Sequence, residues 1–286
     1  MFNTVSVGTL VMLTVGAAMA PAQSATPNTD YASVNGLKMY YEVHGAGNPL
    51  VLIHGGGSDI QATFGRVLQS LAAHHKVIGV DLQAHGHTAD IDRPLSFEQD
   101  ADDVAEVLNQ LHISKADIFG FSNGASTTLE LAIRHPELVN KIIVASTMSK
   151  KEGASPWFWD MIGHATSEGM PQSLKDAYLQ TNPDKDALYS MYKRDIARMQ
   201  SFKDIRDEDI KAIRAPAFVM IGDEDVVRPE HAVELYRLLP HARLAILPGV
   251  HGEFIGELTA PRNPDLIAAT VSMIEQFLAA PMPAAK

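Results

Sequence analysis

Short, continuous apolar runs alternate with segments of helical periodicity along most of this chain. The runs within NPLVLI, KVIGVDL, KADIFGF and VNKIIVAS are typical of strands buried on both faces. Helical segments follow them, such as STTLELAIRHP, which stops at Pro136. This order predicts an α/β fold with a doubly wound, mostly parallel sheet. A hairpin turn at Asn35-Gly36 is expected to add antiparallel strands at one edge.

Apolar spacing also predicts the helices between these strands. One helix is expected over about residues 60–73, and another begins after Ser96, which stands in an N-cap position before acidic residues. The last helix is expected over residues 264–279.

The alternation of strands and helices breaks between residues 147 and 213. That stretch has helical periodicity throughout, and each of its three prolines stands near the start of a helical segment. A helical insertion between strands is expected to form a cap over a site. The chain is therefore divided into three parts: a signal peptide (1–24), a sheet-based core (25–146 and 214–286) and a helical cap (147–213).

Aromatic and Met side chains are frequent in the predicted cap. They either shape an apolar pocket or hold the insertion against the sheet. Five residues are our candidates for substrate contact: Trp157, Trp159 and Met161 in the cap, and Phe121 and Gly57 in the core.

The segment Gly120-Phe121-Ser122-Asn123-Gly124 joins a predicted strand to a predicted helix. At such a junction, G-x-S-x-G forces the serine into a strained turn and exposes its oxygen at the helix N-terminus. We therefore predict that Ser122 is a nucleophile. The alternative is a Gly-rich loop before a helix that Ser122 caps.

A nucleophilic serine needs a general base, and the chain has 12 histidines. His251 follows the last predicted strand, in a glycine-flanked loop at the same sheet edge as Ser122. We therefore predict that His251 is the base. His85 and His87 also follow a strand and are the main competitors.

The histidine must in turn be oriented by a carboxylate. Asp225 lies at the same sheet edge, and the chain order Ser122, Asp225, His251 matches the order in α/β architectures of this kind. Asp223 is the alternative acid.

An acyl-transfer site also needs two backbone donors for the developing oxyanion. The amide of Asn123 is one candidate, because this residue directly follows the nucleophile. The second donor is expected from the loop His54-Gly55-Gly56-Gly57, with Gly56 first and Gly57 second. This loop has neither the G-x-G-x-x-G spacing nor the G-K-[ST] ending of phosphate-binding loops.

Together, HGGG, DLQAHGHT, GFSNG, GDEDVV and PGVHG resemble the motifs of the α/β-hydrolase family, particularly its cap-bearing, esterase-like serine hydrolases. The resemblance covers essentially the whole chain after the predicted signal peptide. Dehalogenases and epoxide hydrolases of this fold have an aspartate in place of Ser122, so the resemblance disfavours both reactions. Gln83 and Ala84 replace the Arg-Gly that is usual in relatives.

Charge and composition narrow the class of partner. A formal charge of −11 argues against nucleic acid, and the absence of cysteine excludes thiolate nucleophiles and thiolate metal sites. We expect a small-molecule substrate, uncharged and partly apolar, and neither a metal nor an organic cofactor.

The N-terminal segment has the features of an export signal. Residues 5–20 carry no charge, and small residues cluster at alternate positions from Ala18 to Ser24. Cleavage is expected after Ala22 or Ser24, which would deliver the protein to the periplasm or the exterior without a membrane span. The alternative is an N-terminal membrane anchor, for which the run is short.

These residues predict hydrolysis of a carboxylic ester through an acyl-enzyme on Ser122. In capped relatives the same triad also serves lactonases, carbon–carbon bond hydrolases and cofactor-free perhydrolases. A non-catalytic small-molecule receptor on the same fold is the alternative from another class.

Overall fold

The computed structural model of the protein describes residues 27–282 and residue 285. The predicted signal peptide, residues 1–24, lies outside the described residues. Within the described part of the chain, no helix is both long and apolar enough to cross a membrane.

A single eight-stranded sheet runs through the described chain, in the order β1-β2-β4-β3-β5-β6-β7-β8. The strands are β1 Asn28–Val34, β2 Leu37–His44, β3 Asn48–Ile53, β4 His75–Val80, β5 Ala116–Phe121, β6 Val139–Ala145, β7 Ala217–Gly222 and β8 Ala242–Leu247. β1 and β2 are antiparallel, β2 is antiparallel to β4, and the remaining neighbours are parallel. The predicted doubly wound, mostly parallel sheet with an antiparallel edge is confirmed.

The turn between β1 and β2 shows why the edge hairpin forms at Asn35-Gly36. Val34 pairs with Leu37, so only two residues make the turn. Both have positive φ, 45° for Asn35 and 85° for Gly36. This left-handed pair is the conformation that Asn-Gly favours in hairpin turns.

Ten α-helices cover the sheet in the described chain. They are α1 Ile60–Phe64, α2 Leu68–Ala72, α3 Phe97–Gln110, α4 Asn123–Arg134, α5 Pro156–Gly163, α6 Gln172–Thr181, α7 Lys185–Gln200, α8 Asp207–Ala212, α9 Pro229–Leu238 and α10 Pro264–Ala279. The predicted bounds of α10 are those observed, and Ser96 caps α3 by accepting from the Gln99 amide at 3.1 Å. The single helix expected over residues 60–73 is instead two short helices, because α1 ends at Phe64 with Gly65 as its C-cap.

Successive residues of the central strands face opposite helical layers. Ile118 of β5 packs in the cluster that includes α3 and α4, whereas Phe119 packs in the cluster that includes α1, α2 and α10. Both side chains are fully buried. This burial on both faces explains why the strand sequences are continuously apolar.

The segment between β6 and β7 contains α5 to α8, as the loss of alternation in the sequence suggested. Residues of α6 and α7 form a separate apolar cluster with Ala62 and Ala84 of the core, which fixes these helices above the carboxyl ends of the strands. α8 packs against α4 and α9, so the last helix of the predicted cap range lies against the core.

Candidate active site

The strand order places a crevice at the carboxyl ends of β3 and β5. These strands are neighbours, yet the chain leaves β3 toward β4 on one side and β5 toward β6 on the other. A reversal of this kind opens a crevice where open α/β sheets bind ligands. The loop after β3 contains Gly55, Gly56 and Gly57, and Ser122 directly follows β5.

Ser122 has a strained backbone at this junction, with φ 53° and ψ −119°. Its neighbouring glycines permit the turn because the chain is crowded there. A Cβ on Gly120 would lie 2.1 Å from the Gly124 carbonyl oxygen, and a Cβ on Gly124 would lie 2.1 Å from the Ile53 carbonyl oxygen. The GFSNG sequence therefore forms the sharp strand-to-helix turn of a nucleophile elbow.

A chain of hydrogen bonds joins Ser122 to the ends of two other strands. The His251 Nε2 atom lies 3.1 Å from Ser122 Oγ, and His251 Nδ1 lies 2.7 Å from Asp225 Oδ1. Asp225 follows β7 and His251 follows β8. This arrangement lets the imidazole accept the serine proton while a carboxylate holds its tautomer.

Ser146 is a further hydrogen-bond partner of Asp225, and the sequence did not predict this role. Its Oγ donates to Asp225 Oδ2 at 2.6 Å, while the Val227 amide donates to Asp225 Oδ1 at 3.1 Å. Ser146 directly follows β6 and has φ 56°, a left-handed conformation rare for serine. The only signal in the sequence was a small polar residue at the end of a buried strand.

Electrostatics at the triad favour a charged histidine next to a charged aspartate. Burial opposes the imidazolium, but the Asp225 carboxylate outweighs it, so the pKa of His251 is raised above its ordinary 6.5. Burial also opposes ionisation of Asp225, but His251 and the donated hydrogen bonds hold the pKa of that carboxyl below its usual value.

Gly56 and Asn123 line a cavity beside Ser122 and are the two candidate oxyanion donors. Gly55 N–H donates to Thr63 Oγ1 at 3.2 Å, and Gly57 N–H donates to Asp195 Oδ2 at 2.5 Å. Within residues 27–282, the amide between them, that of Gly56, has no acceptor, and neither has that of Asn123 at the first turn of α4. Of the two candidates in the glycine loop, only Gly56 is free to act as an oxyanion donor.

A cavity of about 340 Å³ opens in front of Ser122. Gly57, Phe121 and Met161, three of our five candidates for substrate contact, line it. Trp157 does not; it is 56% exposed on the outer side of α5. Trp159 also lies away from the cavity, because its indole N–H donates to the Lys151 carbonyl oxygen at 2.6 Å. The aromatic spacing did not reveal which side of α5 faces inward.

Other cap residues line the cavity in place of the two tryptophans. From α5 to α7 these are Phe158, Ile162, Leu174, Tyr192, Asp195, Ile196 and Met199. Glu257, in the loop after the histidine, also lines the cavity and accepts from the Thr259 amide at 2.7 Å.

The competing histidines and the competing acid have other partners. His85 Nε2 lies 2.9 Å from Asp195 Oδ2, and His87 Nδ1 lies 2.9 Å from Asp81 Oδ2. Asp223 Oδ1 accepts from the Gly249 amide at 2.8 Å and so holds the loop that carries His251.

The two departures in the loop after β4 have structural explanations. Gln83 is buried, and its side-chain amide donates to Asp90 and to the Ile91 and Arg93 carbonyl oxygens, which closes the loop on itself. Ala84 has φ 69°, a conformation that favours glycine, and its side chain packs against the cap. Among the described residues, no group of three or more His, Asp or Glu side chains is arranged to hold a metal ion.

Comparison with known proteins agrees with this fold. Residues 48–162 match the family model described as the alpha/beta hydrolase fold. A putative esterase/lipase from Haemophilus influenzae is 25% identical over 253 residues, which cover 80% of this chain and 82% of the relative. A 2-hydroxy-6-oxo-2,4-heptadienoate hydrolase from Pseudomonas putida is 25% identical over 227 residues, or 71% of this chain and 81% of the relative.

A solved structure shows the same architecture. The enol-lactonase from Burkholderia xenovorans superposes with a TM-score of 0.69 at 23% identity, covering 87% of this chain and all of the other. The fold and these relatives define the protein as an α/β-type hydrolase. The chain has the α/β-hydrolase fold, and the family-model match over residues 48–162 and these relatives support an α/β-hydrolase protein.

Proposed function

We propose that this protein hydrolyses carboxylic esters of small, uncharged molecules through an acyl-enzyme on Ser122. The observation that carries the proposal is the hydrogen-bonded chain Ser122–His251–Asp225, with the strained serine facing a cavity beside two free amides.

Acylation follows from this geometry. Ser122 Oγ attacks the ester carbonyl carbon while His251 Nε2 takes the hydroxyl proton. The carbonyl oxygen becomes an oxyanion and accepts hydrogen bonds from the amides of Gly56 and Asn123. The bond between the carbonyl carbon and the alcohol oxygen then breaks, and the leaving alcohol receives the proton from His251.

Deacylation repeats the sequence with water. His251 takes a proton from a water molecule, whose oxygen attacks the acyl carbon of the Ser122 ester. The same two amides bind the second oxyanion. The bond to Ser122 Oγ breaks, the serine recovers its proton from His251, and the carboxylic acid leaves.

The charge of the cavity supports an uncharged substrate. Its walls are mostly apolar, and they include the carboxylate of Glu257, whereas no Lys or Arg stands among the described residues that line it. Carboxylates in a low-dielectric cavity repel an anionic substrate. A volume of about 340 Å³ suits a small molecule.

This charge distribution separates ester cleavage from one of the alternatives. The Pseudomonas putida relative acts on a dienoate, as its name states, which is an anion. A dienoate in this cavity would lie near the Glu257 carboxylate and would meet no Lys or Arg among the described residues that line it. We therefore place neutral esters ahead of carbon–carbon bond cleavage of dienoates, with neutral lactones, which are cyclic esters, as the nearest alternative substrates.

The test is a set of matched substrates given to the wild type and to the Ser122→Ala variant. Neutral aryl esters should be hydrolysed well, and esters that carry a carboxylate on the acyl chain much more slowly. Only background turnover should remain in Ser122→Ala. Retained turnover in that variant would refute the acyl-enzyme, and preferred turnover of a lactone or a dienoate would replace the ester.

A ligand-binding measurement on the wild type and on Ser122→Ala tests the alternative that the protein is a receptor. If the wild type hydrolyses no ester but both proteins bind the same small molecule equally, the fold serves as a receptor.

We also propose export, on the sequence of residues 1–24 alone. Expression of the full chain in a bacterium should yield a protein in the periplasm or medium whose N-terminus follows Ala22 or Ser24. An uncleaved chain in the membrane fraction would support an anchor instead.

A further inference from the structure

Asp195 of the cap contacts the loop that carries the proposed oxyanion donor. It lies on α7, is only 5% exposed, and its Oδ2 atom accepts from Gly57 N–H at 2.5 Å and from His85 Nε2 at 2.9 Å. The Gly57 amide belongs to the core loop after β3. A cap side chain therefore holds the backbone directly beside Gly56.

The contact with Gly57 determines which amide remains free. A peptide unit is planar, so a hydrogen bond to Gly57 N–H fixes the orientation of the unit that joins it to Gly56. The Gly55 amide donates to Thr63 Oγ1. With both flanking amides bound, Gly56, which lines the cavity, has the one amide of the three without an acceptor among the described residues.

The Asp195 carboxylate also lies close to the place where negative charge would develop. A Cβ on Gly56 would be 3.2 Å from Asp195 Oδ2. An uncompensated carboxylate at that distance would oppose an oxyanion at Gly56. Compensation comes from Arg198, one turn further along α7, which bonds Asp195 Oδ1 and also binds Asp100 Oδ2 at 2.7 Å.

The second positive partner is His85. Burial opposes its charge, but Asp195 outweighs this and raises the pKa of His85 above its ordinary value. Arg198 and His85 in turn hold the pKa of Asp195 far below its usual range despite its burial. The carboxylate is thus kept ionised, and its charge is balanced by the guanidinium and the imidazole.

We propose that Asp195 is a positioning residue that shapes the oxyanion hole from the cap, by fixing the Gly57 peptide while Arg198 and His85 neutralise its charge. This inference rests on the proposed function. It implies that the core alone does not complete the site, and that the hole is formed when α7 is docked.

Two double variants distinguish the role of Asp195 as the acceptor for the Gly57 amide from its role in packing. In Asp195→Asn with Arg198→Gln, the Asn carbonyl oxygen still accepts from Gly57, the Asn NH₂ donates to the Gln carbonyl oxygen, and the Gln NH₂ can donate to Asp100. In Asp195→Leu with Arg198→Met, volume and apolar contact are retained but Gly57 loses its acceptor. Both pairs remove the charges of Asp195 and Arg198 together, so His85 and Asp100 lose their charged partners equally in the two variants.

A matched control lies on the same helix. Arg194 of α7 pairs with Asp90 of the core at 2.5 Å and donates to the Arg93 carbonyl oxygen at 2.9 Å. This ion pair also joins the cap to the core, but it does not contact the glycine loop. Arg194→Gln with Asp90→Asn should leave kcat close to the wild-type value.

The readouts are kcat and KM for one neutral ester, the rate of Ser122 labelling by a fluorophosphonate, and thermal unfolding. The apolar pair should lower kcat and the labelling rate by about a hundredfold with little change in KM, comparable to the loss of one oxyanion donor. The polar pair should retain much more of both rates. Labelling develops charge in the same hole and requires no knowledge of the natural substrate.

Three results would overturn the inference while leaving the proposed function intact. They are equal rates in the two double variants, a loss of kcat in the Asp90–Arg194 control as large as in the apolar pair, and a rise in KM without a change in kcat. If the apolar pair does not fold, the polar pair and the control still decide, because polar-pair rates as low as those of Ser122→Ala would contradict it. An unlabelled and inactive wild type would refute the proposed function and this inference with it.

Discussion

Two histidine–aspartate pairs lie close to the same cavity, one built by the sheet and the other shared between core and cap. His251 and Asp225 are 2.7 Å apart, and His85 and Asp195 are 2.9 Å apart. In both pairs burial opposes the imidazolium and the aspartate raises the histidine pKa. Distance and pKa direction alone would therefore not distinguish them.

The two pairs differ in the partner of the imidazole nitrogen that does not face the aspartate. His251 Nε2 faces Ser122 Oγ, a hydroxyl that can donate a proton. His85 Nδ1 lies 2.8 Å from the Gln83 carbonyl oxygen, which can only accept. With acceptors on both nitrogens, the contacts of His85 favour the imidazolium, in which both nitrogens donate. One pair can accept a proton from a nucleophile, and the other supplies a fixed charge.

The largest expected effect comes from removing each histidine in turn. His251→Gln should lower kcat by about 10,000-fold or more, since the serine loses its base. His85→Gln should lower kcat by no more than about tenfold, because Asp195 keeps the Gly57 amide and Arg198 as donors. Steady-state kinetics on a neutral ester measure both, and a reversed order would exchange the two assignments.

The next effect concerns the acid of the triad and its supporting serine. Asp225→Asn should lower kcat by about 10,000-fold, because the amide favours the wrong imidazole tautomer. Ser146→Ala removes one hydrogen bond to a carboxylate and should lower kcat by about 10- to 100-fold. Wild-type kcat in Ser146→Ala would show that this bond does not support catalysis.

A smaller effect is expected in the pH dependence of kcat/KM. Its direction follows from the protonation of His251. His251 must be neutral to take the serine proton, so kcat/KM should rise with pH and level off above the pKa of His251. Because that pKa is raised, the midpoint should lie above 6.5. In the Ser146→Ala variant, kcat/KM should still rise with pH in the same way. A rise centred below pH 6.5 in the wild type would contradict the pairing of His251 with Asp225.

The smallest effect concerns the cap surface. Met161 lines the cavity, so Met161→Ala should change KM for long acyl chains by about two- to tenfold through lost apolar contact. Trp157→Ala should change neither kcat nor KM, because its side chain faces outward from the same helix. A KM effect of Trp157→Ala equal to that of Met161→Ala would place both residues on the substrate path.

Local sequence was sufficient where a residue's neighbours along the chain determine its position. Ser122 follows a buried strand and is flanked by glycines that the crowded turn requires, and Asp225 and His251 follow later strands whose carboxyl ends meet at one edge. Parallel strand order brings these three together without any knowledge of the cap. The sheet and its antiparallel edge followed from the same patterns.

Local sequence was insufficient where contacts span the core and the cap. The Asp195–Gly57 bond joins residues 138 positions apart, and nothing near Asp195 in the sequence distinguishes it from a surface carboxylate. Trp157 and Met161 are four residues apart on α5, yet only Met161 lines the cavity. Periodicity locates the face of a helix but does not show what that face meets.

The most direct measurement is fluorophosphonate labelling followed by mass spectrometry of the labelled peptide, in the wild type, His251→Gln and His85→Gln. We predict an adduct on Ser122 in the wild type and in His85→Gln, and almost none in His251→Gln. Labelling that survives in His251→Gln but is lost in His85→Gln, or an adduct on another residue, would contradict the account.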